Sequence, residues 1–64
     1  MMWTVYAIAI SDELGNAYYL NRKTSMFQKE CTQRCVFFSK RVASRALEHL
    51  GISSANVIRV EMSN

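Results

Sequence analysis

Apolar and polar positions alternate along this chain in four regular stretches, separated by polar segments. Trp3 to Ile10 (WTVYAIAI) is β-branched and aromatic and runs into a turn-forming cluster, Ser11 to Asn16. It predicts a strand with two apolar faces, Thr4, Tyr6, Ile8 and Ile10 on one and Trp3, Val5, Ala7 and Ala9 on the other. Such a strand belongs in the middle of a sheet, or under a cover on its second face. Ala17 to Asn21 (AYYLN) reads as the returning arm of a hairpin.

Ser39 to Gly51 (SKRVASRALEHLG) predicts a helix. Ser39 is a good N-cap because its hydroxyl accepts an otherwise orphaned backbone N–H. Val42, Ala43, Ala46, Leu47 and Leu50 form one buried stripe, and the two alanines let the helix lie close on a sheet. Gly51 suits the left-handed position after the helix, with Ile52 folding back on Leu47. Asn56 to Met62 (NVIRVEM) then alternates, Ile58, Val60 and Met62 facing one way and Arg59 and Glu61 a wet side.

Between the hairpin and the helix, residues 22–35 (RKTSMFQKECTQRC) lack periodicity. They predict a long excursion anchored by Met26 and Phe27, with one helical turn around Met26 to Cys31. Cys35 to Phe38 is a short apolar run that would add an edge strand or pack the helix entry, and Phe27, Phe37 and Phe38 are expected in the core. The expected fold is an α+β two-layer sandwich in a single domain, residues 1–64. It has a three- or four-stranded, mainly antiparallel sheet (hairpin, excursion, helix, strand) with one helix on one face.

One helix covers one face only. The side bearing Tyr6, Ile8 and Ile10 has the bulk to receive it, which leaves Trp3, Val5, Ala7 and Ala9 on a face shared with Arg59 and Glu61. That face is expected to form a homodimer contact, which would add stability to a core near the lower size limit for independent folding. The alternative is that the 22–35 excursion folds over it.

Charge changes this picture. Seven of the eight basic residues, Arg22, Lys23, Lys29, Arg34, Lys40, Arg41 and Arg45, fall between positions 22 and 45 with only Glu30 against them, although the whole chain carries just +3. Lys40 and Arg41 occupy the first helical turn, where the helix dipole favours carboxylates, and Arg41 and Arg45 are like charges one turn apart. A helix that carries this cost points to an anionic partner for these seven residues. The net positive charge excludes mimicry of DNA, which needs an acidic surface.

Catalytic and cofactor chemistry is not indicated. His49 lies in the last helical turn, where an imidazolium complements the carbonyl ends. No glycine-rich phosphate loop and no nucleophile–base constellation is present, and no cofactor is expected. Cys31 and Cys35 with His49 fall short of four zinc ligands unless Glu30 or Glu48 completes the set, so two free thiols in a reducing compartment are expected. The longest apolar run, Val5 to Ile10, is far short of a membrane span and has no basic leader. The chain is therefore expected to be cytoplasmic, complete in itself and not membrane-bound.

The Tyr6-x-Ile8 pattern leads to Tyr19-Leu20-Asn21, then to Phe38-Ser39-x-x-x-Ala43 opening a helix, and ends in a valine-rich strand. In this the chain resembles many short phage-encoded proteins, some of which inhibit bacterial defence systems, anti-CRISPR proteins among them. The resemblance spans most of the chain but rests on fold-level residues and transfers no functional position. It implies a non-enzymatic protein, phage- or mobile-element-encoded, that binds and modulates a host protein or nucleoprotein complex in the host cytoplasm through its basic face. The alternative is direct nucleic-acid binding through residues 22–45.

Overall fold

The central strand carries different neighbours on its two edges, and this asymmetry organises the molecule. The computed structural model describes residues 1–63. Its elements run β1 (Met2–Ser11), β2 (Ala17–Asn21), β3 (Met26–Gln28), a 3-10 turn (Gln33–Cys35), β4 (Val36–Phe37), α1 (Lys40–Leu50) and β5 (Asn56–Ser63). All strand pairs are antiparallel and α1 packs on one face of the sheet, giving the expected α+β architecture. The sheet has five strands because the excursion contributes the very short β3 and the Cys35 to Phe38 run contributes the two-residue β4.

β5 runs along one edge of β1, from Met2 opposite Ser63 to Ala9 opposite Asn56. The other edge is shared. β2 pairs with Ala9 to Ser11, and β4 takes over at Tyr6 and Ala7. Continuing the β2 register would set Asn21 opposite Ala7, yet that place belongs to Val36. Residues 22–35 are therefore an insertion into one split strand.

The insertion is tied off at its base. The Arg22 N–H donates to the Arg34 carbonyl at 2.8 Å, and the Arg22 guanidinium donates to the Val36 carbonyl at 2.8 Å. Asn21 is buried, and its amide donates to Gln28 Oε1 at 3.0 Å while its oxygen accepts from the Lys23 and Thr24 N–H groups. These bonds set the turn into β3. The helical turn expected at Met26 to Cys31 is not there. Met26–Gln28 is extended and pairs with Tyr19 to Asn21. The turn comes later, at Gln33–Cys35, where Thr32 Oγ1 accepts the Arg34 N–H.

α1 has the predicted caps and alanine–leucine stripe, but Val42, expected in that stripe, is 54% exposed because the contact with the sheet runs along Ala43, Ala46, Leu47 and Leu50. Ser39 Oγ accepts the Arg41 N–H at 3.2 Å, and Gly51 takes a left-handed φ of 67° while its N–H donates to the Leu47 carbonyl. Ala43 is completely buried against Ile8, Leu20 and Phe37, with Ala46, Leu47 and Leu50 packed around that cluster. Among the described residues, no helix is long and apolar enough to cross a membrane.

The register of β5 corrects one expectation. Trp3, Val5 and Ala7 stand opposite Met62, Val60 and Ile58, whereas Thr4 and Tyr6 stand opposite Glu61 and Arg59. Directly opposed residues share a face. Arg59 and Glu61 therefore lie on the helix side, at the end of the sheet away from Ile8 and Val57, and Thr4 donates to Glu61 across the ladder. The second face is apolar on both strands. Alternation within β5 says which residues share a side, and only the pairing register says which side that is. Val5 and Ala7 are 2% and 0% exposed in the single chain, so the middle of this face is already covered without a second copy.

Candidate interaction surface

β4 ends at Phe37, so the Phe37–Phe38 pair is divided between the strand and the bend that leads into α1. Phe37 enters the core at 6% exposure, while Phe38, expected beside it, is 74% exposed just before the helix cap. Phe38 lines a groove of about 360 Å³ on the second face, with Trp3, Val5, Val36, Met62 and Gln33. Trp3 is itself 45% exposed, so the groove offers two accessible aromatic rings.

Gln33 is the joint between this groove and a cationic cleft. The cleft, about 340 Å³, is lined by Arg22, Lys23, Arg34 and the same Gln33. These three cations come together because the Arg22–Arg34 backbone bond closes the insertion at its base. Phe38, which also lines the groove, is followed in the chain by Ser39 and then by Lys40 and Arg41 at the start of α1.

The seven basic residues do not form one patch. Arg22, Lys23 and Arg34 are gathered at the cleft. Lys40, Arg41 and Arg45 are exposed on α1, with Arg41 and Arg45 one turn apart on its outer side and Lys40 on another flank. Lys29 follows β3 next to Glu30 and lines neither the groove nor the cleft. Among the described residues the ion pair formed is Arg59–Glu61, at 3.4 Å, so the basic segment keeps its charge uncompensated. Arg22 differs from the others, because its guanidinium is held by the Val36 carbonyl and lies over the Phe37 ring, 4.9 Å from the centroid.

A second groove, about 410 Å³, opens between β2 and the C-terminal half of α1, lined by Leu20, Arg22, Ser25, Phe37, Ala46, His49 and Leu50. His49 is exposed at its rim, and neither cysteine lines it. Both thiols are free. Burial, reinforced by the nearby Cys35, pushes the Cys31 thiol up, which disfavours the nucleophilic thiolate. Cys35 is fully buried, its Sγ near the Glu30 carbonyl at 3.7 Å and Thr32 Oγ1 at 3.8 Å. Among the described residues no three His, Cys, Asp or Glu side chains converge in a way that could hold a metal ion.

Asp12 is the most heavily hydrogen-bonded carboxylate. It accepts from the Asn16 N–H at 2.8 Å, the Leu14 N–H at 2.9 Å, the Asn16 amide and the Tyr18 hydroxyl. The Asn16 bonds above all hold its pKa below the ordinary carboxylate value, and the bond that the Tyr18 hydroxyl donates to Asp12 raises the pKa of Tyr18. This group shapes the β1–β2 turn.

Trp3, Gln33, Phe38 and Met62 are the surface residues that charge-based reading passes over. The signal for Phe38 was its place next to the Ser39 cap, where the chain leaves the sheet for the helix. No protein-family model matches this chain, and neither a curated protein nor a solved structure matches it.

Proposed function

We propose that this chain is a non-enzymatic interaction protein. It docks on a host protein or nucleoprotein complex by placing the Trp3–Phe38–Met62 groove over an apolar side chain, with its flanking cations set against acidic groups. The observation that carries this reading is the sharing of Gln33 between the apolar groove and the Arg22–Lys23–Arg34 cleft. Protein interfaces concentrate binding energy in aromatic anchors surrounded by a polar rim, and this surface has that composition. The raised Cys31 pKa, which disfavours its thiolate, supports a role without covalent catalysis. The resemblance to short phage-encoded inhibitors of bacterial defence supports the same class of role, exercised in the host cytoplasm, where free thiols persist.

Capture from bacterial lysate tests this. Wild-type protein is expected to retain a protein partner after nuclease treatment, and Phe38→Ala and Lys23→Glu/Arg34→Glu are expected to lose it. Recovery that disappears with nuclease contradicts the reading.

The exposed aromatics next to cations also favour a second reading, direct binding of single-stranded nucleic acid by stacking on Trp3 and Phe38. A salt titration separates the two.

A further inference from the structure

We infer that β5 is an interface between two copies of this chain, paired antiparallel to its own counterpart about a two-fold axis through Val60. β5 bonds to β1 alone, and its outer edge is free along Asn56–Ser63 among the described residues. Proteins usually blunt such an edge with lysine, proline, a bulge or a covering segment. β5 has no lysine or proline, and its ladder with β1 is unbroken from Ser63 to Asn56.

Its two charges select both the occupant and the register. A two-fold axis perpendicular to the sheet keeps each residue on its own face, so the pairing must centre on a residue. Centred on Val60, Arg59 stands opposite Glu61 of the second copy and Glu61 opposite Arg59 of the second copy. Moving the centre by one residue sets Arg59 against Arg59 or Glu61 against Glu61, which is repulsive. Larger shifts lose both attractive pairs. The register centred on Val60 alone sets unlike charges opposite each other, adding a cross-strand partner to the Arg59–Glu61 pair already formed at 3.4 Å within each copy.

The same register completes the apolar side. Val5 and Val60 meet the Val60 and Val5 of the second copy in one row. Trp3 and Met62 continue into Ile58 and Ala7 of the second copy in the next. Ile58, Val60 and Met62, only half-buried in the single chain, would gain neighbours along the new ladder. This contact is through a strand edge and not through the face of β1. It shares Trp3, Val5 and Met62 with the apolar groove but neither Phe38 nor the cationic cleft. Arg59 and Glu61 line neither, so swaps at those two charges test the dimer separately from docking.

Sedimentation equilibrium across a concentration series tests it, with circular dichroism as a check on folding. Wild type is expected to dimerise. Arg59→Glu and Glu61→Arg should each weaken the dimer by roughly tenfold or more, because each turns two attractive cross-strand pairs into repulsive ones. The double swap Arg59→Glu/Glu61→Arg should recover it. An equimolar mixture of the two single variants should form a heterodimer, since opposite charges then face each other at both positions. Wild type that stays monomeric at millimolar concentration overturns the inference, as does a dimer indifferent to the single swaps. If a single variant fails to fold, amide exchange on wild type decides. The amides of residues 57–62 that point away from β1 should exchange more slowly as concentration rises, and no change would overturn the inference.

Discussion

The Arg22 guanidinium donates to the Val36 carbonyl oxygen at 2.8 Å across a gap of fourteen positions in the chain, bridging the two halves of a split strand. It also lies 4.9 Å over the Phe37 ring, so one surface arginine fastens the base of the insertion to the core. Arg22→Ala is expected to lower stability by about 1.5–3 kcal/mol, the range for a hydrogen bond to a charged group. Lys23→Ala, beside it but unbonded through its side chain, should stay within about 0.5 kcal/mol of wild type. Urea unfolding of the two variants makes the comparison.

Asn21 sets the insertion in motion. Its side chain is buried, bonded to Gln28 and to two turn N–H groups, so Asn21→Ala leaves several polar groups without partners. The expected loss is about 1–3 kcal/mol, with faster amide exchange at Lys23 and Thr24. Asn21→Asp should restore the turn bonds but not the donation to Gln28. Hydrogen exchange by NMR resolves the two effects.

Much of this architecture was legible in the residues themselves. The helix could be read from end to end because Ser39, the alanine–leucine stripe and Gly51 are local signals. The facing of β1 also followed from its own alternation. The rest depends on contacts between distant segments. β3 is three residues long and extended only because Tyr19 to Asn21 pair with it. The side taken by Arg59 is decided by Val5 standing opposite Val60, which no pattern inside β5 encodes. For the candidate surface, the concentration of cations was plain, but the joining of Arg22, Lys23 and Arg34 required the backbone bond at the base of the insertion. Phe38 reads as core in the sequence because an aromatic is usually buried in so small a domain, whereas the structure leaves it 74% exposed.

Ala43, completely buried where α1 meets Ile8 and Phe37, has no room for a larger side chain. Ala43→Leu is expected to cost about 1–3 kcal/mol through overpacking. Ser39→Ala, which removes the cap, should cost about 1 kcal/mol. Thermal unfolding of both variants checks the order, with the buried alanine the more sensitive site.

Asp12 gives the hairpin turn a pH dependence with a definite sign. Its pKa in the folded state lies below the ordinary carboxylate value because Asn16, Tyr18 and Leu14 donate to the ionised form. Its contribution to stability is therefore present above the ordinary value and is lost as pH falls through the folded one. An NMR titration should show the Asp12 carboxyl ionising below the ordinary aspartate value, and Asp12→Asn should flatten the acid limb of a stability–pH curve. Tyr18 behaves inversely, its raised pKa adding stability that is lost as pH rises through it.

Nucleic acid provides a contrasting expectation. If phosphates were the main ligand, log K would fall with log salt by about 0.7 for each single-strand contact. The docking account expects weak binding to DNA and RNA at low salt that vanishes at physiological salt, and fluorescence anisotropy with labelled oligonucleotides measures it. Tight binding that survives physiological salt and is lost in Arg41→Ala and Arg45→Ala would favour direct recognition.

The central claim is that an apolar groove and its flanking cations act as one protein-binding surface. The most direct measurement is the affinity of the nuclease-resistant partner for wild type, Phe38→Ala and Lys23→Glu/Arg34→Glu, by calorimetry at low and high salt. Phe38→Ala should lose at least about 1–2 kcal/mol of binding at both salt levels, as an aromatic anchor does. The charge variant should lose affinity mainly at low salt and show a flattened salt dependence. Unchanged affinity in Phe38→Ala, with the fold intact, would contradict the account.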